Sequence, residues 1–234
     1  VLLSVPKGYV SGHALSDSAI YSGASLATLV TPGTYVWTWG TGANQNFTLQ
    51  IKTPLPESTA IWYLNNHAFV AGAGAPTLPA NWIVVGVADF NGDSQFDYLL
   101  YNVSTRQTAV WYLNNNAFVA GTYGPSLPAG WRVVGVADFN GDSQPDYLLF
   151  NASTRQTAIW YSSGATVTGG AYGPMIASGY TLIGAADFNA DGKPDYVLYG
   201  PSVQGTTLWY LDNNVFTGSA KGPTLPTGWS LTQR

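Results

Sequence analysis

Asp89, Asn91, Asp93 and Asp97 stand at positions 1, 3, 5 and 9 of the stretch DFNGDSQFD. Asp138, Asn140, Asp142 and Asp146 repeat the pattern, and Asp187, Asn189, Asp191 and Asp195 repeat it again. Carboxylates crowded in this way repel one another unless a positive partner compensates them. A hard cation such as Ca²⁺ takes six to eight oxygen ligands, and odd positions of a tight loop can turn their side chains inward. Position 7, occupied by Gln95, Gln144 and Lys193, is expected to offer its backbone carbonyl, which leaves its side chain free to vary. The expected cofactor is therefore Ca²⁺, about three ions with one per loop, and its expected role is to pin the turn between two strands. Magnesium prefers rigid, water-rich octahedra, and zinc wants His or Cys, which the loops lack. An EF-hand is excluded, because position 12 is Leu100, Leu149 or Leu198 and a strand follows instead of a helix.

The rest of the chain is poor in charge. Charged residues make up 9% of 234, against roughly 25% in ordinary soluble domains. Of 12 acids, only Asp17, Glu57 and Asp212 lie outside the loops. One divalent ion per loop would move the formal net charge of −4 to a small positive value. No basic patch exists to neutralise phosphates, so a nucleic-acid partner is not expected. There is no cysteine, hence no disulfide or thiolate metal site. No apolar run reaches the roughly 18 residues that span a bilayer. The chain begins at Val1, which is read as a processed or truncated start.

The loops belong to a repeat. Trp62, Trp111, Trp160 and Trp209 are evenly spaced, and Asp89, Asp138 and Asp187 keep the same period of 49 residues. Each unit reads as four short strands, such as TAIWYL, NNHAFVAG, NWIVVGVADF and DYLLYN. β-Branched and aromatic residues fill them, Asn65 and Asn66 supply turn chemistry, and helical periodicity is absent. Four strands in about 50 residues is the size of a β-propeller blade. The expected fold is all-β: tandem four-stranded propeller-like blades, three complete and one partial, with a small N-terminal β segment. The expected divisions are an N-terminal segment over 1–52, a linker over 53–58, and units 59–107, 108–156, 157–205 and a partial 206–234. On that division the last unit lacks its fourth strand, and an unpaired sheet edge invites strand addition.

DFNGDSQPDYLLFN followed by TAIWY resembles the FG-GAP/VCBS-type repeats of bacterial surface proteins, related to the calcium loops of integrin-type propellers. The resemblance covers 59–234 and implies propeller blades, calcium in the loops, secretion, and adhesive or binding work. The family usually carries Gly at loop position 6; Ser94 and Ser143 stand there in two loops and Gly192 in the third. The N-terminal segment, with LSDSAIYSG and TPGTYVWTWGTGANQNFTLQI, resembles the region before the sorting signal of PEP-CTERM-type exported proteins. Both likenesses imply an extracellular or cell-surface bacterial protein.

No enzyme is expected. His13 and His67 are the two histidines, and no nucleophile elbow, Walker loop or HExxH zinc motif occurs. A glycosidase needs two cooperating carboxylates, and nearly all acids are committed to the loops. The Trp-Tyr pairs and the second aromatic series (Trp82, Trp131, Tyr180, Trp229) are read as packing between blades, with sugar stacking as the alternative. Asn46, Asn102 and Asn151 head glycosylation sequons. Two functions compete. One is a structural subunit of a surface fibre or other assembly, self-associating head-to-tail by strand complementation. The other is a monomeric adhesive or glycan-binding module.

Overall fold

The computed structural model describes residues 33–38, 46–51 and 57–231. Residues 1–32, including Asp17 and His13, lie outside the described residues. The chain divides into two units, 1–53 and 54–234. In the first, β1 (Gly33–Thr38) and β2 (Asn46–Ile51) form an antiparallel pair, with Gly33 opposite Ile51 and Thr38 opposite Asn46.

The second unit is all-β. Its strands are β3 (Glu57–Asn65), β4 (Ala68–Leu78), β5 (Trp82–Ala88), β6 (Asp97–Asn102), β7 (Gln107–Asn114) and β8 (Ala117–Ser126). They continue as β9 (Trp131–Ala137), β10 (Asp146–Asn151), β11 (Gln156–Ser163) and β12 (Thr166–Met175). The last four are β13 (Thr181–Ala186), β14 (Asp195–Gly200), β15 (Gly205–Asp212) and β16 (Val215–Thr224). Each run of four, from β5, from β9 and from β13, makes one antiparallel meander in which sequence neighbours pair. These are three propeller-like blades, and β3–β4 is a separate two-stranded sheet before them. Within the second unit the described sheets stay separate and do not close on one another.

The sheets are out of phase with the units drawn on the sequence. A blade opens on the strand that leads into the acidic loop and ends on the hairpin after the Trp-Tyr pair. The 49-residue period fixes spacing but not where a sheet begins. The partial sheet therefore lies before the complete blades, at β3–β4, and the last blade has all four strands. This corrects the expectation of a missing fourth strand at the far end.

Packing between sheets explains the apolar pattern. Phe90, Leu99 and Val110 of the first blade meet Val133, Tyr147, Leu149 and Ala158 of the second in one buried cluster. Phe139, Leu148 and Ile159 meet Leu182, Tyr196 and Leu198 of the third in another. The Phe of each of the first two acidic loops lies edge-on to the Tyr that is second in the next blade's second strand. Ring centroids are 6.1 Å apart for Phe90 and Tyr147 and 6.2 Å for Phe139 and Tyr196. The first strands of neighbouring blades run close together. A Cβ on Gly86 would sit 2.7 Å from Val136 Cγ1, so no larger residue fits without displacement.

Each outer hairpin carries a register shift near its open end, between Gln107 and Ala109 for β7–β8. The Thr at that point closes the bulge. Thr108 Oγ1 donates to the Pro125 carbonyl at 2.8 Å, and Thr157 and Thr206 do the same to Pro174 and Pro223. Thr59 donates to Pro76 at 2.7 Å, so β3–β4 is built as an outer hairpin of a blade.

Candidate functional site: the acidic loops

Each loop joins the first two strands of a blade, and its backbone explains why small residues recur there. Positions 4 and 6 both hold positive φ: Gly92 at 76° and Ser94 at 66°, Gly141 at 77° and Ser143 at 66°, Ala190 at 61° and Gly192 at 82°. This turns successive N–H groups toward the position 1 carboxylate. Asp89 Oδ1 accepts from Gly92 N at 2.7 Å and from Asp93 N at 3.2 Å, and Oδ2 accepts from Ser94 N at 2.8 Å. Asp138 accepts in the same way from Gly141, Asp142 and Ser143. Asp187 accepts from Asp191 at 3.2 Å and Gly192 at 2.9 Å.

Positions 3 and 5 are held likewise. Asn91 Oδ1 accepts from Asp93 N at 3.1 Å, and Asp93 Oδ1 accepts from Gln95 N at 2.8 Å. Asn140 and Asp142, and Asn189 and Asp191, repeat both bonds. Asn91 Nδ2 also donates to Asp93 Oδ2 at 3.0 Å. In the first and third loops the position 7 side chain reaches the far end of its own blade's outer hairpin. Gln95 Oε1 accepts from Asn115 N at 3.3 Å, and Lys193 Nζ pairs with Asp212 at 2.8 Å.

Position 9 is different. Asp97, Asp146 and Asp195 are fully buried. Asp97 Oδ2 accepts from Phe90 N at 3.0 Å and Oδ1 from Leu113 N at 2.9 Å. Asp146 accepts from Phe139 and Ser162, and Asp195 from Phe188 and Leu211, at 2.9–3.1 Å. These carboxylates bolt the loop to the third strand of the blade. The spacing alone suggested another loop ligand; the buried anchoring role was not visible there.

The electrostatics follow. Desolvation is the largest single influence on the Asp89 carboxyl and raises it, but N–H donors from Ser94, Gly92, Asp93 and Asn91 together outweigh it and hold it below the ordinary range. Burial pushes Asp97 up, the N–H groups of Leu113 and Phe90 pull it back, and the charges of Asp93 and Asp89 push it further up. Burial drives Asp146 up to about 6, opposed by Ser162 and Phe139 and reinforced by Asp142 and Asp138. The backbone thus relieves part of the crowding: the loop amides solvate the rim carboxylates. The buried carboxylate still feels the other two.

Carboxylate, amide and backbone oxygens are the donor types that a hard cation takes. Each rim carboxylate has spare lone pairs after its amide bonds, and an added positive charge would relieve the repulsion on Asp97 and Asp146. Among the described residues no three Asp, Glu or His side chains already form a metal cage. Asn91, Asn140, Asn189 and backbone carbonyls at Gln95, Gln144 and Lys193 would have to complete the set.

Sequons at Asn102 and Asn151 lie on buried side chains. Asn102 Oδ1 accepts from Ser104 N and Thr105 N, and Asn151 Oδ1 from Ser153 N and Thr154 N, so both amides cap turns. The sequon at Asn46 heads β2.

Consecutive four-stranded blades, each with an Asp/Asn loop between its first two strands, define a propeller-like repeat protein. Two overlapping segments, 89–149 and 138–198, match the FG-GAP-like repeat, so the chain carries FG-GAP-like repeats. No curated protein matches the chain. Among solved structures, it is similar to a protein of unknown function from Bacteroides caccae, at 11% identity and TM-score 0.38, over 81% of this chain and 73% of that one. It is also similar to the Tc holotoxin pore of Photorhabdus luminescens, at 13% identity and TM-score 0.38. That match covers 73% of this chain and 11% of the other.

Proposed function

We propose that this is a non-enzymatic, exported bacterial structural protein, stabilised by Ca²⁺ in its acidic loops and assembled head-to-tail by strand addition. The observation that carries the reading is the half-built sheet β3–β4. Leu113 and Leu211 are 1% exposed in complete blades, whereas Leu64, their counterpart in β3, is 56% exposed. Ala109 and Ala158 are buried, and Ala60 is exposed. Trp62 is 71% exposed, while Trp111, Trp160 and Trp209 are half-buried. In the blades two inner strands and the preceding sheet surround these positions, as Leu78 does for Leu113; within the second unit β3 has neither. The pair β1–β2 has the strand count needed to complete a four-stranded sheet. Supplied by a second copy, it makes a heterologous contact that propagates into a filament.

The test is particle size with and without calcium, by light scattering and electron microscopy. Long particles that shorten on chelation and on Leu64→Asp support the reading. A compact monomer under millimolar calcium, unaffected by Leu64→Asp, overturns it.

A further inference from the structure

The second blade carries an open aromatic cleft that the other copies of the repeat narrow with a ring of their own. The cleft measures about 490 Å³ and is walled by Trp131, Trp160 and Tyr172, with Pro128 and Leu149 behind them. Its counterpart in the first blade, 49 residues earlier, has Trp82, Trp111 and Tyr123 in the same places but only about 170 Å³. The largest side-chain difference between the two linings is at one position, although Gly169 and Ala171 also stand where the first blade has Ala120 and Thr122. Phe118 packs edge-on against Trp111, with centroids 4.8 Å apart. Phe69 and Phe216 do the same to Trp62 and Trp209, at 5.4 and 5.1 Å. In the second blade that residue is Val167. The flank of Trp160 that a phenyl ring covers in the other copies is therefore left without one.

The floor seats the indole. A Cβ on Gly170 would come within 3.2 Å of Trp160 Cδ1 and 2.7 Å of the Ile159 carbonyl, so the Trp lies close over the bare backbone of β12. Trp131 and Tyr172 form a tilted pair with centroids 6.2 Å apart. Asn214 Nδ2 donates to the Tyr172 carbonyl at 2.9 Å and ties this wall to the next blade. No Asp, Glu, Lys, Arg or His lines the cleft, so it suits a neutral ligand. Each aromatic offers an apolar face and one polar atom, the indole N–H or the phenol. That combination, a concave apolar wall with a few polar groups, is the usual form of a small-ligand site.

We infer that this cleft binds a neutral pyranose ring of a saccharide. Among pyranoses, gluco-configured β-linked rings match best, because all-equatorial substituents leave both faces lined with C–H groups that stack on an indole. The site lies on the second blade and does not depend on assembly through β3.

The test uses cellotetraose and chitotetraose, followed by tryptophan fluorescence and calorimetry on the whole chain. Saturable binding is expected for at least one of them. Val167→Phe copies a side chain that the sibling repeats already accommodate. It should keep the fold by circular dichroism while weakening binding by about tenfold or more. Phe118→Val opens the first blade's cleft and should add a second binding site. Absence of saturable binding to either probe overturns the inference. So does a folded Val167→Phe variant with unchanged affinity, or a Phe118→Val variant that gains no site.

Discussion

A single carboxylate position separates two jobs within the loop. Asp138 sits at the rim, where water can replace lost amide bonds, whereas the two N–H groups facing Asp146 are buried. Stranding a buried donor costs about 1–3 kcal/mol, partly offset here by removing a buried charge. Asp146→Ala is therefore expected to lower calcium-free stability by about 2 kcal/mol, and Asp138→Ala by under about 1 kcal/mol, read by urea unfolding in chelator. Equal losses would contradict the division. With calcium added, the gap should narrow, because Asp138→Ala then also forfeits ion binding in the second loop. The backbone gives a second expectation. Ser143 holds φ of 66°, a region that costs an L-residue roughly 1 kcal/mol. Ser143→Gly should raise stability by about 0.5–1 kcal/mol, and Ala190→Gly likewise. A loss in either variant would mean that the side chain, not the backbone, governs the loop. Positions 1, 3 and 5 were legible from the sequence as a ligand-type pattern. That position 9 is anchored in the blade was not, since its partners, Leu113 and Ser162, are 16 residues away and contribute only backbone N–H groups.

Strands were the most legible elements, because β-branched and aromatic runs alternate with Asn and Gly turns; Asn66, Asn115 and Asn213 all hold positive φ near 55°. Their grouping into sheets was hidden. A translational repeat looks the same wherever its unit is cut, and only the pairing of β6 with both β5 and β7 fixes the phase. The aromatic cleft had a sequence signal, Val167 against Phe69, Phe118 and Phe216. It gained meaning only once those rings were seen to lie on the neighbouring Trp. At the scale of the hairpin, Thr157 makes a further prediction. Its hydroxyl is buried and donates to the Pro174 carbonyl across a bulge. Thr157→Val keeps the shape, strands that carbonyl, and should cost about 1 kcal/mol in thermal or urea unfolding. An unchanged midpoint would show that the bulge holds without it.

Over the length of the molecule, stability should be graded rather than uniform. Blades in a row touch only their neighbours, so each sheet is held by its own pairing plus the interfaces on either side. The middle blade, β9–β12, has a complete blade on both sides and shares a buried cluster with each. The half sheet has one such neighbour, contributing Leu78 to the cluster with Tyr98 and Leu100, and leaves Trp62 and Leu64 open. Local opening follows the density of buried contacts. Amide exchange in dilute, chelated protein is therefore expected to be fastest in β3–β4 and slowest in β10 and β11. Calcium should slow exchange around all three acidic loops while leaving the half sheet fast. Concentrating the protein under calcium should then protect residues 59–64 selectively, because strand addition supplies the missing ladder only there. If β3 is already as protected as β11 in the dilute monomer, the half sheet is completed within its own chain, and growth by strand addition at that edge is ruled out.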